Sequence, residues 1–138
     1  MSNPFNLRVI EEFRANAGVV GGDFQGTDLL LLTTRGARSG LPRTTPLVYL
    51  RDGERLVVFA LNGGAPVAPA WYHNLVAHPD ESVVEVGGES YPARPAEIAD
   101  EEEYETLWRR QIAREPKFAE FRARAGRRVP LVSLTPAA

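Results

Sequence analysis

The segment of this sequence best suited to binding an anion reads TTRGARSGLPR and spans residues 33–43. It contains no aspartate or glutamate, and its cationic and hydroxyl side chains include Arg35, Arg38, Ser39 and Arg43. Guanidinium groups, hydroxyls and the backbone amides of a glycine-containing turn can converge on a phosphate or a carboxylate. The same composition also fits a solvated turn whose arginines keep a strand edge soluble. Both interpretations stay open at this point.

A second candidate segment, NGGAPVAPAWYHNL, begins at Asn62 and combines a glycine pair with the start of a helix. Gly63 and Gly64 carry no side chains, so a flat ligand could lie against the backbone there. The unpaired amides of the following helix N-terminus favour negative charge. The alternative is a plain strand-to-helix connection in which Trp71 anchors the core and Asn74 braces the loop.

Composition and motif spacing exclude several other kinds of chemistry. The chain has 138 residues and no cysteine, which removes disulfides, thiolate ligands and thiol catalysis. No metal is expected, because His73 and His78 have no acid nearby at a familiar ligand spacing. Walker, Rossmann and G-x-S-x-G patterns do not occur. A net charge of −2 gives no basic field for nucleic acid.

The N-terminal sequence MSNPFNLRVIEEF indicates neither a secretion signal nor a membrane anchor. Acidic residues interrupt its apolar stretch, and no small-residue cleavage site follows. The longest nearly uninterrupted apolar run covers residues 29–32, far short of the roughly 20 residues that a membrane span requires. We therefore expect a cytoplasmic protein without a transmembrane segment.

The pattern of apolar residues predicts short strands interrupted by helices. Strands are expected at residues 27–34, 43–51, 55–61, 82–86, 89–97 and 129–135. Helices are expected from Asn3-Pro4 to a stop at Gly18, from Pro69 to Pro79, after a capping box at Asp100 and Glu103, and after Pro116. Tyr72 and Val76 make the second helix apolar on a further side, which predicts that it packs between the sheet and another element.

These elements together predict an α+β fold. About six mostly antiparallel strands with helices around them favour a small β-barrel. The length suits one domain, and no linker or low-complexity segment divides the chain. Residues 1–138 are therefore expected to form a single domain.

From Thr27 onward the sequence resembles the deazaflavin-dependent nitroreductase family. The likeness rests on LLLLTTRGARSGLPRTTPLVYLRDGERLVVFALNGGAPVAPAWYHNLVAHP and on RRVPLVSLTP near the C-terminus. The resemblance implies a split β-barrel related to the flavin-binding barrels. It also implies an oxidoreductase that uses the reduced deazaflavin coenzyme F420 as hydride donor.

The resemblance further implies where the cofactor would lie. Its phosphate and acidic tail would be at Arg38, Ser39 and Arg43, with Arg35 nearby. The deazaflavin ring would lie between the strand residues Thr45, Pro46 and Leu47 and the loop residues Asn62, Gly63 and Gly64. The helix residues Ala70, Trp71 and Asn74 would help to hold it.

The acceptor expected from this resemblance is a small conjugated molecule: a quinone, an enone or a nitro compound. Hydride transfer leaves negative charge on the acceptor, which calls for a hydrogen-bond or proton donor. Tyr49, Tyr72 and His73 all stay open as that donor. Phe118 and Phe121 stand where the best-known nitroreductase has tyrosines, which makes a nitro compound the least expected acceptor.

Two other functions share the expected fold. One is a carrier that binds F420 without reducing a substrate, and the other is a barrel that uses FMN. Related barrels often pair, so a homodimer is compatible with the resemblance.

Overall fold

A computed structural model of the chain describes residues 4–24 and 26–137. Within them the strands are β1 (Leu29–Arg35), β2 (Pro42–Asp52), β3 (Arg55–Phe59), β4 (Ser82–Val86), β5 (Glu89–Glu97) and β6 (Leu131–Pro136). The α-helices are α1 (Pro4–Ala15), α2 (Ala70–Ala77), α3 (Glu101–Arg114) and α4 (Lys117–Ala125). Single 3₁₀ turns lie at Gly22–Phe24 and Asn62–Gly64. Asn3, the expected helix cap, lies outside the described residues.

The six strands close into an antiparallel barrel in the order β1-β2-β3-β6-β5-β4, and β4 pairs back onto β1. The hairpins β1-β2, β2-β3 and β4-β5 join neighbours along the chain, as expected. The pairs β3-β6 and β4-β1 then bring distant segments together and close the sheet. The predicted α+β barrel is therefore confirmed.

Several predicted strand ends are wrong by one or two residues, in two cases because a backbone amide bonds a group outside the sheet. The third strand ends at Phe59, since the amide of Leu61 folds back to the Phe59 carbonyl at 2.8 Å. The last strand begins at Leu131 instead of Val129, since the Val129 amide donates to the Tyr104 hydroxyl at 3.2 Å. The first strand starts at Leu29, two residues later than predicted, and the second starts at Pro42, one residue earlier than predicted.

The four consecutive leucines of β1 are buried on both faces of the sheet. Leu30 and Leu32 point into the barrel with α2 residues, whereas Leu29 and Leu31 pack outside against α1. All four are at most 5% exposed. A fully buried leucine contributes roughly 1.5–3 kcal/mol, so β1 is a principal element of the core and a rigid base for the turn that follows it.

Helices α3 and α4 cover the outer face of the barrel on its β2, β3 and β6 side. Asp100 caps α3 as predicted, accepting the Glu103 amide at 2.9 Å. The buried ring of Trp108 packs at an angle against Phe59, with centroids 4.9 Å apart. These contacts form a second core outside the barrel.

Helix α2 packs by one face only. Trp71 and Leu75 enter the core inside the barrel, as their spacing predicts. Val76 is 64% exposed, so the prediction that the helix is enclosed on both sides is wrong. Its apolar side chain faces outward, and no described element covers that side of α2.

Candidate functional site

A cleft of about 750 Å³ opens between α1, α2, the turn at residues 36–41 and the first residues of β2. Its lining residues are Asn6, Ile10, Gly36, Ala37, Arg38, Ser39, Arg43, Thr44, Thr45, Ala70, Trp71, His73 and Asn74. A volume of this size is typical of sites for cofactors and other small molecules. The cleft thus brings together parts of both segments singled out in the sequence.

The cleft is cationic. Arg38 and Arg43 line it, and no aspartate or glutamate appears among its lining residues. Within residues 4–24 and 26–137, neither guanidinium has a hydrogen-bond or ion-pair partner. Most other arginines of the described chain pair with carboxylates, as Arg14 does with Glu85 and Arg122 with Glu105. Two unpaired guanidiniums facing one cleft are suited to a phosphate or carboxylate ligand.

The turn at residues 36–41 is held by its own backbone. The Gly36 amide donates to the Leu41 carbonyl at 2.8 Å, and the Gly40 amide donates to the Gly36 carbonyl at 2.9 Å. Ser39 accepts the Leu41 amide through its hydroxyl oxygen at 3.1 Å. A Cβ at Gly36 would overlap that hydroxyl oxygen and lie 3.2 Å from the Leu41 carbonyl. A side chain at this position would therefore displace the Ser39 hydroxyl and crowd the Leu41 carbonyl.

Asn74 connects this turn to the rest of the site. Its side-chain oxygen accepts the Ala37 amide at 2.9 Å, and its side-chain nitrogen donates to the Thr34 hydroxyl at 3.1 Å. Both Asn74 and Thr34 are buried, at 7% and 2% exposure. One amide thus fixes α2, the end of β1 and the turn relative to one another, which is the bracing role left open by the sequence.

The cleft runs along an edge of β2 that β3 leaves uncovered. Strand β2 pairs with β1 over residues 42–48 but with β3 only over residues 49–52. Side chains alternate between the two faces of a strand, yet both Thr44 and Thr45 line the cleft. Pro46 lies on the same stretch, where a residue without an N–H is tolerated beside an unpaired edge.

Helix α1 supplies a wall of the cleft that the sequence analysis missed. Asn6 and Ile10 line the cleft, one helical turn apart. The helix is packed on the barrel through its buried stripe and tied to β4 by Arg14 and Glu85, which bond at 3.0 and 2.8 Å. That hydrogen bond also raises the pKa of Arg14. Asn6 could have been identified from the sequence, because it is a polar residue in line with the apolar stripe of Val9, Ile10 and Phe13.

The structure brings seven of the predicted cofactor residues into this cleft: Arg38, Ser39, Arg43, Thr45, Ala70, Trp71 and Asn74. Arg35 is outside it, because its guanidinium bonds the Glu81 carboxylate at 3.0 Å over a separate shallow depression. Leu47 packs against the core inside the barrel.

The predicted loop residues Asn62, Gly63 and Gly64 form a 3₁₀ turn that packs on α4 and does not line the cleft. All three have positive φ angles, of 52°, 65° and 87°. A Cβ at Gly64 would lie 3.2 Å from the Phe121 carbonyl and from the Arg124 side chain. This close approach to α4 accounts for a glycine at that position.

Arg127 fastens the segment that contains this turn. Its guanidinium donates to the carbonyls of Ala60, Leu61 and Val67 at 3.0, 3.2 and 3.0 Å, and to that of Ala65 at 3.2 Å. Four backbone carbonyls from one loop thus converge on a single side chain. This role could not be predicted from the sequence, because the four partners lie 60 to 67 residues away in the chain.

The three candidate donors occupy different places. His73 lines the cleft, whereas Tyr49 lines a small polar pocket with Gln111. Tyr72 donates its hydroxyl to the Glu97 carboxylate at 2.6 Å, away from the cleft. This hydrogen bond, with burial, raises the pKa of Tyr72 to about 12. His73 is therefore the candidate that shares a cleft with the two free arginines.

The structure thus places a chain with a closed antiparallel barrel among proteins whose cationic cleft beside a strand edge is suited to an anionic small molecule. The family model for F420H(2)-dependent quinone reductases matches residues 7–136. The chain belongs to this family.

Individual relatives agree with the family match. An F420H(2)-dependent quinone reductase of Mycobacterium tuberculosis is 38% identical over 129 residues, covering 89% of this chain and 84% of that protein. A solved structure of an F420-H2 dependent reductase (FDR-A) has a TM-score of 0.68 and 30% identity, over 78% of this chain and 93% of that one. A structure described as a domain-swapped dimer has a TM-score of 0.70 and 29% identity, over 93% and 92%.

These findings confirm the predicted family, the reductase activity and the cofactor F420, and they support a quinone as acceptor. They give no specific support to an enone or a nitro compound. In the part of the chain that the structure describes, no helix is both long and apolar enough to cross a bilayer.

Proposed function

We propose that the cleft binds the phosphate and acidic tail of F420 through Arg38, Ser39 and Arg43. The observation that carries the proposal is the pair of unpartnered guanidiniums in a cleft lined by no carboxylate. Ser39 in the same turn also suits an anion, because its hydroxyl oxygen accepts the Leu41 amide and leaves the hydroxyl proton for a ligand. The residues present therefore fit the charged end of this cofactor.

The deazaflavin ring would border the exposed edge of β2 at Thr45, Pro46 and Leu47, and Ala70, Trp71 and Asn74 would hold it from α2. The turn at Asn62, Gly63 and Gly64, fastened by Arg127, would lie on the ring's other side. When bound, reduced F420 supplies the hydride for quinone reduction. The chain's own contribution is to position the cofactor and to limit the approach of water.

Binding measurements on arginine variants test the anion site. Arg38→Ala and Arg43→Ala should each weaken F420 binding by about 1.5–3 kcal/mol, the magnitude of a hydrogen bond to a charged group. Arg109→Ala is the matched control, since Arg109 is exposed on α3 and bonds Thr106. Quenching of tryptophan fluorescence reports the affinity. If both cleft variants bind F420 like the control, the anion is held elsewhere.

Turnover separates a reductase from a carrier. Pre-reduced F420 bound to the protein should be oxidised rapidly on mixing with a quinone in a stopped-flow instrument, and FMN should compete poorly for the site. An enone and a nitro compound in the same panel define how far the acceptor range extends. Oxidation no faster than with free cofactor, for every acceptor, would identify a carrier.

We also propose that the protein forms a homodimer. The support is the structural neighbour described as a domain-swapped dimer, which covers 93% of this chain. Light scattering coupled to gel filtration should then give twice the 15.2 kDa chain mass. A mass equal to one chain over a tenfold range of concentration would reject the dimer.

A further inference from the structure

The geometry points to His73 as a third anion-binding side chain of the cleft, beside the guanidinium groups of Arg38 and Arg43. This inference deepens the proposed function and rests on it. It assigns to His73 a contact with the acidic end of the cofactor, instead of a role as proton donor to the quinone.

The position of His73 on α2 supports this assignment. Ala70, His73 and Asn74 lie at i, i+3 and i+4, so they share one face of the helix, and all three line the cleft. Asn74 holds the Ala37 amide of the arginine-bearing turn. His73 is therefore adjacent to the residue that fixes this turn against α2.

The imidazole ring of His73 packs against the ring of Tyr72. The Tyr72 ring packs edge-on against the imidazole, with centroids 5.7 Å apart and planes at 67°. Tyr72 is in turn anchored by its hydrogen bond to Glu97 on β5. An imidazole restrained on one side and exposed to the cleft on the other loses less freedom when it binds a ligand.

On the cleft side of His73, the charged side chains are all cationic. Arg38 and Arg43 are the other ionisable residues that line the cleft, and they come from the turn and from β2. On the opposite side Tyr72 already bonds Glu97. Just past the end of α2, the Nδ1 atom of His78 lies 3.5 Å from a carboxylate oxygen of Glu81. No carboxylate lines the cleft, so a negatively charged ligand group would meet no competing anion beside His73.

The charge state of an imidazole changes between about pH 5 and 8, unlike that of a guanidinium. A bound phosphate or carboxylate would gain a third cationic partner at the acid end of this range. At the alkaline end the neutral ring would still offer one N–H donor. The affinity contributed by His73 should therefore depend on pH, and that of the two arginines should not.

The test compares three variants with the unmodified protein: His73→Gln, His73→Lys and the control His78→Gln. The dissociation constant for F420 is measured at pH 5.5 and pH 8.5 for each, and expressed relative to the unmodified protein at the same pH. The ligand's own titration then cancels. A second probe is the deazaflavin nucleoside that lacks the phosphate and acidic tail.

His73→Gln should weaken F420 binding about three- to fivefold at pH 5.5, the scale of an exposed ion pair, and less than twofold at pH 8.5. His73→Lys should bind tightly at both pH values, and His78→Gln should match the unmodified protein. Binding of the nucleoside should not change in any variant. These differences would not arise from a purely structural role.

Two results would overturn the inference. One is an affinity of His73→Gln for F420 that equals the unmodified protein at both pH values. The other is unchanged affinity with slower quinone reduction, which would make His73 the proton donor. Failure of the unmodified protein itself to bind F420 would instead reject the proposed function, so the two failures are distinguishable.

Discussion

Replacing Asn74 by alanine tests how the cleft is held in shape. The change removes the acceptor of the Ala37 amide and the donor to the Thr34 hydroxyl. The two groups left behind differ in their access to water. Thr34 is 2% exposed, so its hydroxyl loses a partner that water cannot replace, whereas Ala37 lines the cleft and can be hydrated.

The magnitude follows from these two bonds. A typical hydrogen bond contributes about 1 kcal/mol net, and leaving a buried polar group unpaired costs about 1–3 kcal/mol. We therefore expect Asn74→Ala to lower the free energy of unfolding by about 2–3 kcal/mol. At roughly 3 °C per kcal/mol for a chain of this size, the melting temperature should fall by about 6–9 °C. Urea unfolding and calorimetry give both values.

Thr34→Val separates bracing from direct contact with the cofactor. Thr34 does not line the cleft, so its replacement disturbs the brace without removing a group that a ligand could touch. If Asn74 acts through the turn, both variants should weaken F420 binding. If Asn74 touches the cofactor, only Asn74→Ala should do so. The double variant measures the coupling between the two side chains.

A loss of less than about 0.5 kcal/mol for Asn74→Ala, the range of ordinary surface substitutions, would show that the two bonds do not brace the fold. Asn74→Asp adds a further check. It keeps an oxygen for the Ala37 amide but brings a negative charge toward Arg38, so it should retain more stability than Asn74→Ala and bind F420 more weakly than the unmodified protein.

Three further predictions concern other parts of the chain. Gly36→Ala should weaken F420 binding at least tenfold by displacing the turn. Gly21→Ala is the control and should not weaken binding, because its new Cβ would meet nothing closer than 3.6 Å. Fluorescence titration compares the two affinities. Because the pKa of Tyr72 is raised to about 12, its stabilising effect should be complete below about pH 10 and be lost as pH rises toward 12. Tyr72→Phe should remove that part of the pH dependence in urea unfolding. Arg127→Gln should speed hydrogen exchange in residues 60–67, as measured by mass spectrometry.

The local part of the fold could be predicted because the relevant signals lie close together in the sequence. Strands β4 and β5 match their predicted bounds, since a glycine pair separates two runs suited to strands. Asp100 caps α3 for a similarly local reason. The pairings that close the barrel, β3 with β6 and β4 with β1, join segments far apart in the chain. Hydrophobic periodicity indicates that a strand exists but carries no information about such a partner.

The same distinction applies to the site. The arginine-containing turn was found because guanidiniums and glycines indicate anion binding by their chemistry alone. The contribution of α1 was missed, because Ile10 reads as an ordinary core residue until packing places it beside the cleft. The role of Asn74 could not be decided either, since its partners are 37 and 40 residues away in sequence.

In the proposed site, the residues for the charged end of the cofactor are better defined than those for the acceptor, and this difference bears on substrate range. Phe118 is buried against Phe59 and Phe121, with ring centroids 5.7 and 5.9 Å apart, so these rings stabilise the core and offer no hydroxyl. These two rings therefore supply no acid to an acceptor that needs one when the hydride arrives. The product of hydride transfer to a quinone is a phenolate, whose conjugate acid has a pKa near 10, so water can protonate it afterwards. A quinone therefore suits a site that provides position and anion binding but few proton donors.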